Sequence, residues 1–480
     1  MASSSPPSHP VLRHVAMLPF MAKGHAMPLL HLAHVLLRRG LATAITFLAT
    51  PRDAPFICAG APTGASVVEL PFPSSATGPQ SMDELPSAAS VTGLLDVVST
   101  AAALRPAFAA ALAGMDPRPD LLVHDGFLSW PKDAADELGV PRLVSMGMSA
   151  FATWVPMAVM VQKPHARVGG SPSEPFELDG LPGLRLTKAD LNPPFDEPEP
   201  AGPHWEFILE CSGAMGTSRG TILNSFHELE SLYIDSWNRA MPIKMWPVGP
   251  LCLAGEPDRT LEADIAGWLE SRLAMNRPVL YVAFGSQAEL SRAQVEEIAA
   301  GLDRSGLDFI WVVRSRWLDH EDDQFENRFG DRGKVVRSFI NQLGVLGHKA
   351  IKGFFSHCGW NSVMESISMG VPILAYPMAA EQKLNSKFVV DVLQVGIRVW
   401  PSETEDGGAG HGSELLVSSE DVSTLSRELI LGEGGKRAAA RMTELAASAR
   451  AAVEEGGSSF ESLELMVREV CEIGCADEKE

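Results

Sequence analysis

Apolar runs of strand length alternate with amphipathic stretches along most of this chain, and glycine or proline marks nearly every change of pattern. Residues 11–20 predict a strand. A loop over residues 21–25 follows, and Pro28 then opens an amphipathic helix that runs to about Arg39 and stops at Gly40. Residues 42–48 and 66–70 predict further strands, residues 92–114 a helix, and residues 120–123 a short buried strand that delivers His124 and Asp125 at its end. Residues 221–226 and 243–248 close the first half. A second series starts near Leu261, with strands over residues 279–284, 308–313, 351–356 and 371–376. From Val417 the pattern is helical to about Cys471, broken at residues 432–435 and 456–457. Strands alternating with helices predict a parallel, doubly wound sheet in each half, with ligands beyond the carboxyl ends of the strands.

The punctuation predicts domains: a tail over 1–10, a first domain over 11–248, a linker over 249–260, a second domain over 261–456, and a final helix with tail over 457–480. Pro- and Gly-rich stretches near 73–90, 163–204 and 402–413 read as long loops. A chain of 480 residues with 45% hydrophobic content has enough apolar matter for two cores. Its formal net charge of −21 argues against nucleic-acid or anionic-membrane partners, so an anionic ligand must be held by local donors and helix dipoles. The first ten residues lack the layout of a secretory signal. The apolar run at about 150–161 contains Thr153 and Pro156 and is too short to cross a bilayer, so no membrane span is expected. Six scattered cysteines predict reduced thiols and a cytoplasmic location. Without an Asp-x-Asp pair or a His/Cys cluster of ligand spacing, no metal is expected.

The densest chemistry lies between Phe339 and Gln382. The strand at 351–356 is broken by His-Cys-Gly, Asn361 and Ser362 offer N-cap chemistry, and Val363, Met364, Ile367 and Ser368 continue at helical spacing to Gly370. A strand, a tight turn and a helix N-terminus together make a phosphate site. Glu365, one turn beyond Asn361, could accept hydrogen bonds from a sugar diol. The order His-Cys-Gly-Trp-Asn-Ser, then Glu365, Gly-Val-Pro and a closing acid-Gln pair resembles the 44-position signature of plant UDP-dependent glycosyltransferases of small molecules.

That resemblance implies a GT-B arrangement of two facing Rossmann-like domains. It also implies inverting transfer of glucose from the co-substrate UDP-glucose, with no cofactor, to a hydroxyl of a small lipophilic acceptor. A β-glucoside is the expected product and a monomer the expected state. By the same resemblance, Phe339 (where tryptophan is usual) stacks on uracil and Gln342 reaches the base or ribose. Glu365 binds the ribose, and His357, Asn361, Ser362 and Ser286 meet the diphosphate. Trp360, Glu381 and Gln382 contact the hexose. Asn341 stands where proline is usual and Tyr376 where tryptophan is common, the latter read as a core substitution.

His25 is the candidate general base, because an imidazole titrating near neutrality suits removal of a hydroxyl proton. Asp125 would fix its tautomer. The plain alternatives are a packed loop histidine among 13 histidines and, for Asp125, an N-cap. His31 and His34 read as structural, and His124 should point away from Asp125. The acceptor pocket is expected near Phe20, Phe127, Met148 and Phe151. Two other functions compete: a non-catalytic sugar-nucleotide-binding protein, motivated by Phe339 and Asn341, and the same reaction with another UDP-hexose. A nicotinamide oxidoreductase is excluded, because the glycine cluster at 407–412 follows acidic residues and no strand.

Overall fold

The computed structural model describes residues 11–85, 91–166, 173–255, 258–314, 317, 325, 327–399 and 416–477, the side chains of 165 and 473–477 excepted. The chain divides into two compact units, Met1–Glu256 with Ala449–Glu480, and Pro257–Ser448.

In the first unit the strands are β1 (Leu12–Leu18), β2 (Ala42–Ala49), β3 (Ala65–Glu69), β4 (Leu121–Asp125), β5 (Arg142–Met146), the two-residue pair β6 (Phe176–Glu177) and β7 (Arg185–Leu186), β8 (Thr221–Leu223) and β9 (Met245–Pro247). The main sheet runs β3-β2-β1-β4-β5-β8-β9, with every neighbouring pair parallel. Alternation along β1 sends its side chains to two cores. Val15 and Met17 pack with Leu29, Leu32 and Leu36 of the helix Lys23–Arg38 and with Leu463, Met466 and Val467 of the last helix. Ala16 and Leu18 pack with Leu104, Phe108 and Leu112 on the opposite face. Arg39 fastens the last helix here, its guanidinium 3.3 Å above the Phe460 ring and 2.8 Å from Glu464.

In the second unit the strands are β10 (Val279–Ala283), β11 (Asp308–Val312), β12 (Gly333–Val336), β13 (Ile351–Ser356), β14 (Ile373–Ala375) and β15 (Gly396–Arg398), in the parallel order β12-β11-β10-β13-β14-β15. Both sheets therefore reverse direction beside their first strand, between β1 and β4 and between β10 and β13. At such a switch point the connecting segments diverge and leave a crevice. These are the two doubly wound units expected from the sequence pattern.

Several details differ from expectation. The first helix begins at Lys23, so His25 lies in its first turn and not in a loop, and Pro28 falls in the second turn. The backbone explains the early start, because Ala22 is extended and its carbonyl already accepts the amides of His25 and Ala26. The helix Trp360–Met369 is capped by Gly359, which places Asn361 and Ser362 inside its first turn and not at the cap. Strands β5, β12 and β15 were not read from the pattern; each is short, and two of them begin with Arg142 or Gly333. By length and composition the stretch Val91–Ala113 is apolar enough to cross a membrane, contrary to the expectation that no run is. Here its Val97, Ala101, Leu104, Phe108 and Leu112 line one face of the first core.

Candidate active site

The crevice at β1 and β4 brings together the two residues singled out for proton transfer. His25 Nδ1 lies 2.8 Å from Asp125 Oδ2, although 100 positions separate them. Parallel pairing of Leu18 with His124 sets Asp125 at the strand end beside the first turn of the helix that carries His25. Asp125 is buried, its side chain 3% exposed against 23% for His25. Its other oxygen, Oδ1, accepts the Phe127 amide at 2.9 Å. With Nδ1–H donating to a carboxylate, the imidazole carries its lone pair on Nε2, the form a general base requires.

Aromatic rings surround the imidazole. Phe20 stands edge-on at 5.3 Å between centroids and Phe127 lies at 5.0 Å. Phe207, from the helix Pro203–Gly216, extends the cluster at 5.9 Å from Phe127. Phe207 was not foreseen; the only signal in the sequence is an apolar trio at 207, 208 and 211 at helical spacing. Phe151 is withdrawn from the expected pocket. It is 0% exposed and packs on Tyr233 at 4.9 Å, so it serves the core. His124 points away as expected, with its Nε2 3.4 Å from Arg142 and its Nδ1 on the Asp125 carbonyl, and burial pulls it down to about 4. Burial likewise lowers His31 to about 4, and His34 holds the Gly60 carbonyl.

The crevice at β10 and β13 is built around His357. Its ring lies between two glycines: a Cβ on Gly285 would come within 2.7 Å of its Nε2, and one on Gly359 within 2.5 Å. Gly285 has φ +75°, a second reason for glycine there. Burial lowers His357 to about 4, so at neutral pH it offers an N–H and no positive charge. Its buried Nδ1 has no hydrogen-bond partner among the described residues. Ser286 follows in the same turn, partly exposed. Arg314, which the sequence reading missed, donates to the Gly285 carbonyl at 3.1 Å and brings a cation to this turn.

Beside it, Gln342 Nε2 donates to Ser362 Oγ at 2.9 Å and to Glu365 Oε2 at 2.6 Å, while its Oε1 accepts from Tyr281 Oη at 3.1 Å. Loss of water around Glu365 outweighs the Gln342 hydrogen bond and pushes its carboxyl up to about 7. Asn341 caps the helix Gln342–Leu346: its Oδ1 accepts the Gly344 amide at 3.0 Å, and its Nδ2 donates to the Asp258 carbonyl at 2.8 Å. The side chain thus fixes the loop that a proline would fix by its ring. Phe339 is 81% exposed, an apolar face of the kind a base would cover.

Gln382 Oε1 accepts the amides of Met378 and Ala379, both at 2.9 Å, which orients its amide with Nε2 outward from that turn. Asn385, 0% exposed, donates to the Cys358 carbonyl at 3.0 Å and lies 3.4 Å from Glu381 Oε1, joining the Glu381–Gln382 loop to the His357 turn. Trp360, the first residue of its helix, is 2% exposed, with its indole 6.4 Å from the Phe388 ring. Tyr376 packs on Phe284 and Phe355 and donates its hydroxyl to Gln294. Among the described residues, no group of three His, Cys, Asp or Glu side chains could hold a metal.

Residues 254–404 match the family described as "UDP-glucoronosyl and UDP-glucosyl transferase". UDP-glycosyltransferase 90A1 of Arabidopsis thaliana is 37% identical over 95% of this chain and 96% of its own. UDP-glucose flavonoid 3-O-glucosyltransferase 7 of Fragaria ananassa is 33% identical over 95% and 96%. Among solved structures, Glycyrrhiza uralensis UGT73P12 complexed with glycyrrhetinic acid 3-O-monoglucuronide superposes with a TM-score of 0.84 at 29% identity, covering 98% of this chain and 97% of that one. With relatives this similar along nearly the whole of both chains and two sheets of matching design, the chain belongs to the UDP-glycosyltransferase family and is a glycosyltransferase of the GT-B class.

Proposed function

We propose that this enzyme transfers glucose from UDP-glucose to a hydroxyl of a small lipophilic acceptor, with inversion. The observation that carries this reading is the His25–Asp125 pair, 2.8 Å apart and walled by Phe20 and Phe127. His25 Nε2 takes the acceptor proton as the acceptor oxygen forms its bond to the anomeric carbon. The bond from that carbon to the UDP oxygen breaks on the opposite face, giving a β-glucoside and UDP. Asp125 holds the imidazole and stabilises its cation. The His357 ring, the first turn of the helix Trp360–Met369 with Asn361 and Ser362, and Ser286 receive the diphosphate. Phe339 stacks on uracil, Glu365 and Gln342 hold the ribose, and Glu381 and Gln382 hold the hexose. Glucose is favoured by Gln382, since glutamine at the closing position of the signature goes with glucose over galactose in the family it resembles, and by the Fragaria ananassa relative, which is a UDP-glucose flavonoid 3-O-glucosyltransferase. The apolar rings around His25 favour a lipophilic acceptor.

The test is incubation of purified enzyme with UDP-glucose, UDP-galactose or UDP-glucuronate and a panel of phenols, with products identified by mass spectrometry and their anomeric configuration by NMR. A β-glucoside is expected, formed fastest from UDP-glucose. An α-product, or faster transfer from another donor, would overturn the corresponding part of the reading; no product with any donor would favour the binding-only alternative.

A further inference from the structure

Tyr281 is 1% exposed in the middle of β10, its ring stacked on Phe354 at 4.8 Å and 23°. A phenylalanine would satisfy that packing equally well, yet the hydroxyl is present and is spent on one atom, Gln342 Oε1, at 3.1 Å. A carboxamide has two unlike ends, and here the phenol that donates to its oxygen and the carboxylate that accepts from its nitrogen together decide which way it faces. With its oxygen held by Tyr281, Gln342 must present Nε2 to Ser362 Oγ and Glu365 Oε2. Glu365 is then fixed by one oxygen, and its Oε1 takes no hydrogen bond from the described residues. Burial and the Glu365 charge both raise the phenol far above its usual range, so Tyr281 keeps its proton and remains a donor.

We propose that Tyr281 is a positioning residue for the donor ribose: it orients the Gln342 amide, which holds Glu365 in the rotamer that receives the 2′,3′-diol. This rests on the reading that Glu365 meets the ribose of a uridine nucleotide. The chain Tyr281–Gln342–Glu365 runs outward from the sheet core, so removing its innermost hydroxyl should act first on diol recognition; Ser362, the other acceptor of the Gln342 amide, is held in place by the helix Trp360–Met369 whichever way the amide turns. The amide could then turn and set its carbonyl against Glu365, a repulsive contact that the rotamer would relieve by moving.

Calorimetric titration with UDP and with 2′,3′-dideoxy-UDP separates these effects. Wild-type protein should bind UDP about tenfold more tightly than the dideoxy analogue, as expected for hydrogen bonds to a carboxylate. In Tyr281→Phe, which keeps the ring stack, that preference should fall to about twofold or less while dideoxy-UDP affinity stays within about twofold. Gln342→Met, which cuts the same chain in its middle and also removes a proposed ribose contact, should lose the diol preference as well and weaken UDP further than Tyr281→Phe does. If Tyr281→Phe keeps the tenfold preference, or weakens both ligands equally, Tyr281 is a packing residue only and the proposal fails, even where Gln342→Met loses the preference. Wild-type protein that binds UDP without preferring its diol would remove Glu365 as the ribose ligand, and failure to bind UDP at all would remove the donor site itself; either result takes the proposal with it.

Discussion

At the β1–β4 switch point the chemistry is one imidazole and one carboxylate, joined across 100 positions of sequence. At the β10–β13 switch point it is a longer set of glycines, amides, hydroxyls and carboxyls, most of them between residues 339 and 382, with the Arg314 guanidinium on the Gly285 turn. The same strand order thus supports two unlike crevices. Proton transfer needs a single nitrogen in a fixed tautomer, which one buried carboxylate supplies. On the proposed reading the second crevice holds a diphosphate and a nucleoside, which needs many donors at fixed offsets of the kind one turn and one helix N-terminus offer together. The first crevice is electrostatically sharp, and the second distributes its work. Its histidine is kept neutral by burial, and its carboxyl is held near neutrality.

If that contrast holds, damage to the first crevice should abolish rate and spare binding. We predict that His25→Ala lowers glucoside formation by roughly 10²- to 10⁴-fold while UDP affinity, measured by calorimetry, stays within about twofold. A variant retaining more than about a tenth of the wild-type rate would remove the distinction between the crevices. Asp125→Asn should cost up to about 10⁴-fold, because a carboxamide N–H facing Nδ1 favours the wrong tautomer, with UDP binding again unchanged.

In the second crevice the effects should be smaller, fall on affinity and depend on pH. On the proposed reading Glu365 accepts the ribose diol far better ionised than protonated, and its carboxyl is raised to about 7. UDP-glucose, whose phosphodiester groups do not titrate in this range, should therefore bind about tenfold more weakly at pH 6 than at pH 8. Glu365→Gln should flatten that profile; a profile unchanged by the substitution would show that another group titrates. His357, held at about 4, stays neutral throughout. The sign for stability is opposite. Glu365 and the buried Glu230, also raised to about 7, ionise in the unfolded chain first, so each takes stability from the ligand-free protein as pH rises from about 4.5 to 7, whereas His31, His124 and His357, lowered to about 4, each add stability as pH rises to about 6.5. Because the two sets oppose each other in the wild type, the expected record is a difference: the melting temperature of Glu230→Gln should rise relative to that of the wild type as pH goes from about 4.5 to 7. The smallest effect belongs to the loop: Asn341→Ala should cost about 1 kcal/mol in denaturant unfolding, as loss of an N-cap does, with little change in UDP affinity.

The second crevice was largely legible because its parts are local. A strand, a turn and a helix start can be read within one stretch, and their spacing resembles a known signature. Even there the register at the helix start was misjudged by two residues. Asn361 and Ser362 have cap chemistry, but Gly359 holds the cap because the His357 ring leaves no room for a side chain at that position. The first crevice was legible only as two candidates. Nothing near His25 names its partner, and the pairing rests on the parallel register of β1 with β4.

Sequence alone determined the two wound halves, since strand-length apolar runs separated by amphipathic helices have few other ways to bury their faces. It also determined the glycine-broken turn between β13 and the helix Trp360–Met369, because its parts lie within one short stretch. Tertiary structure decided what long-range contact controls: that Asp125 meets His25, that Phe207 joins the ring cluster while Phe151 retires to the core, and that Asn341 does the work of a proline. It also decided the protonation of His357 and Glu365. A side chain's charge depends on the water removed around it, and that removal is done by residues far away in the chain.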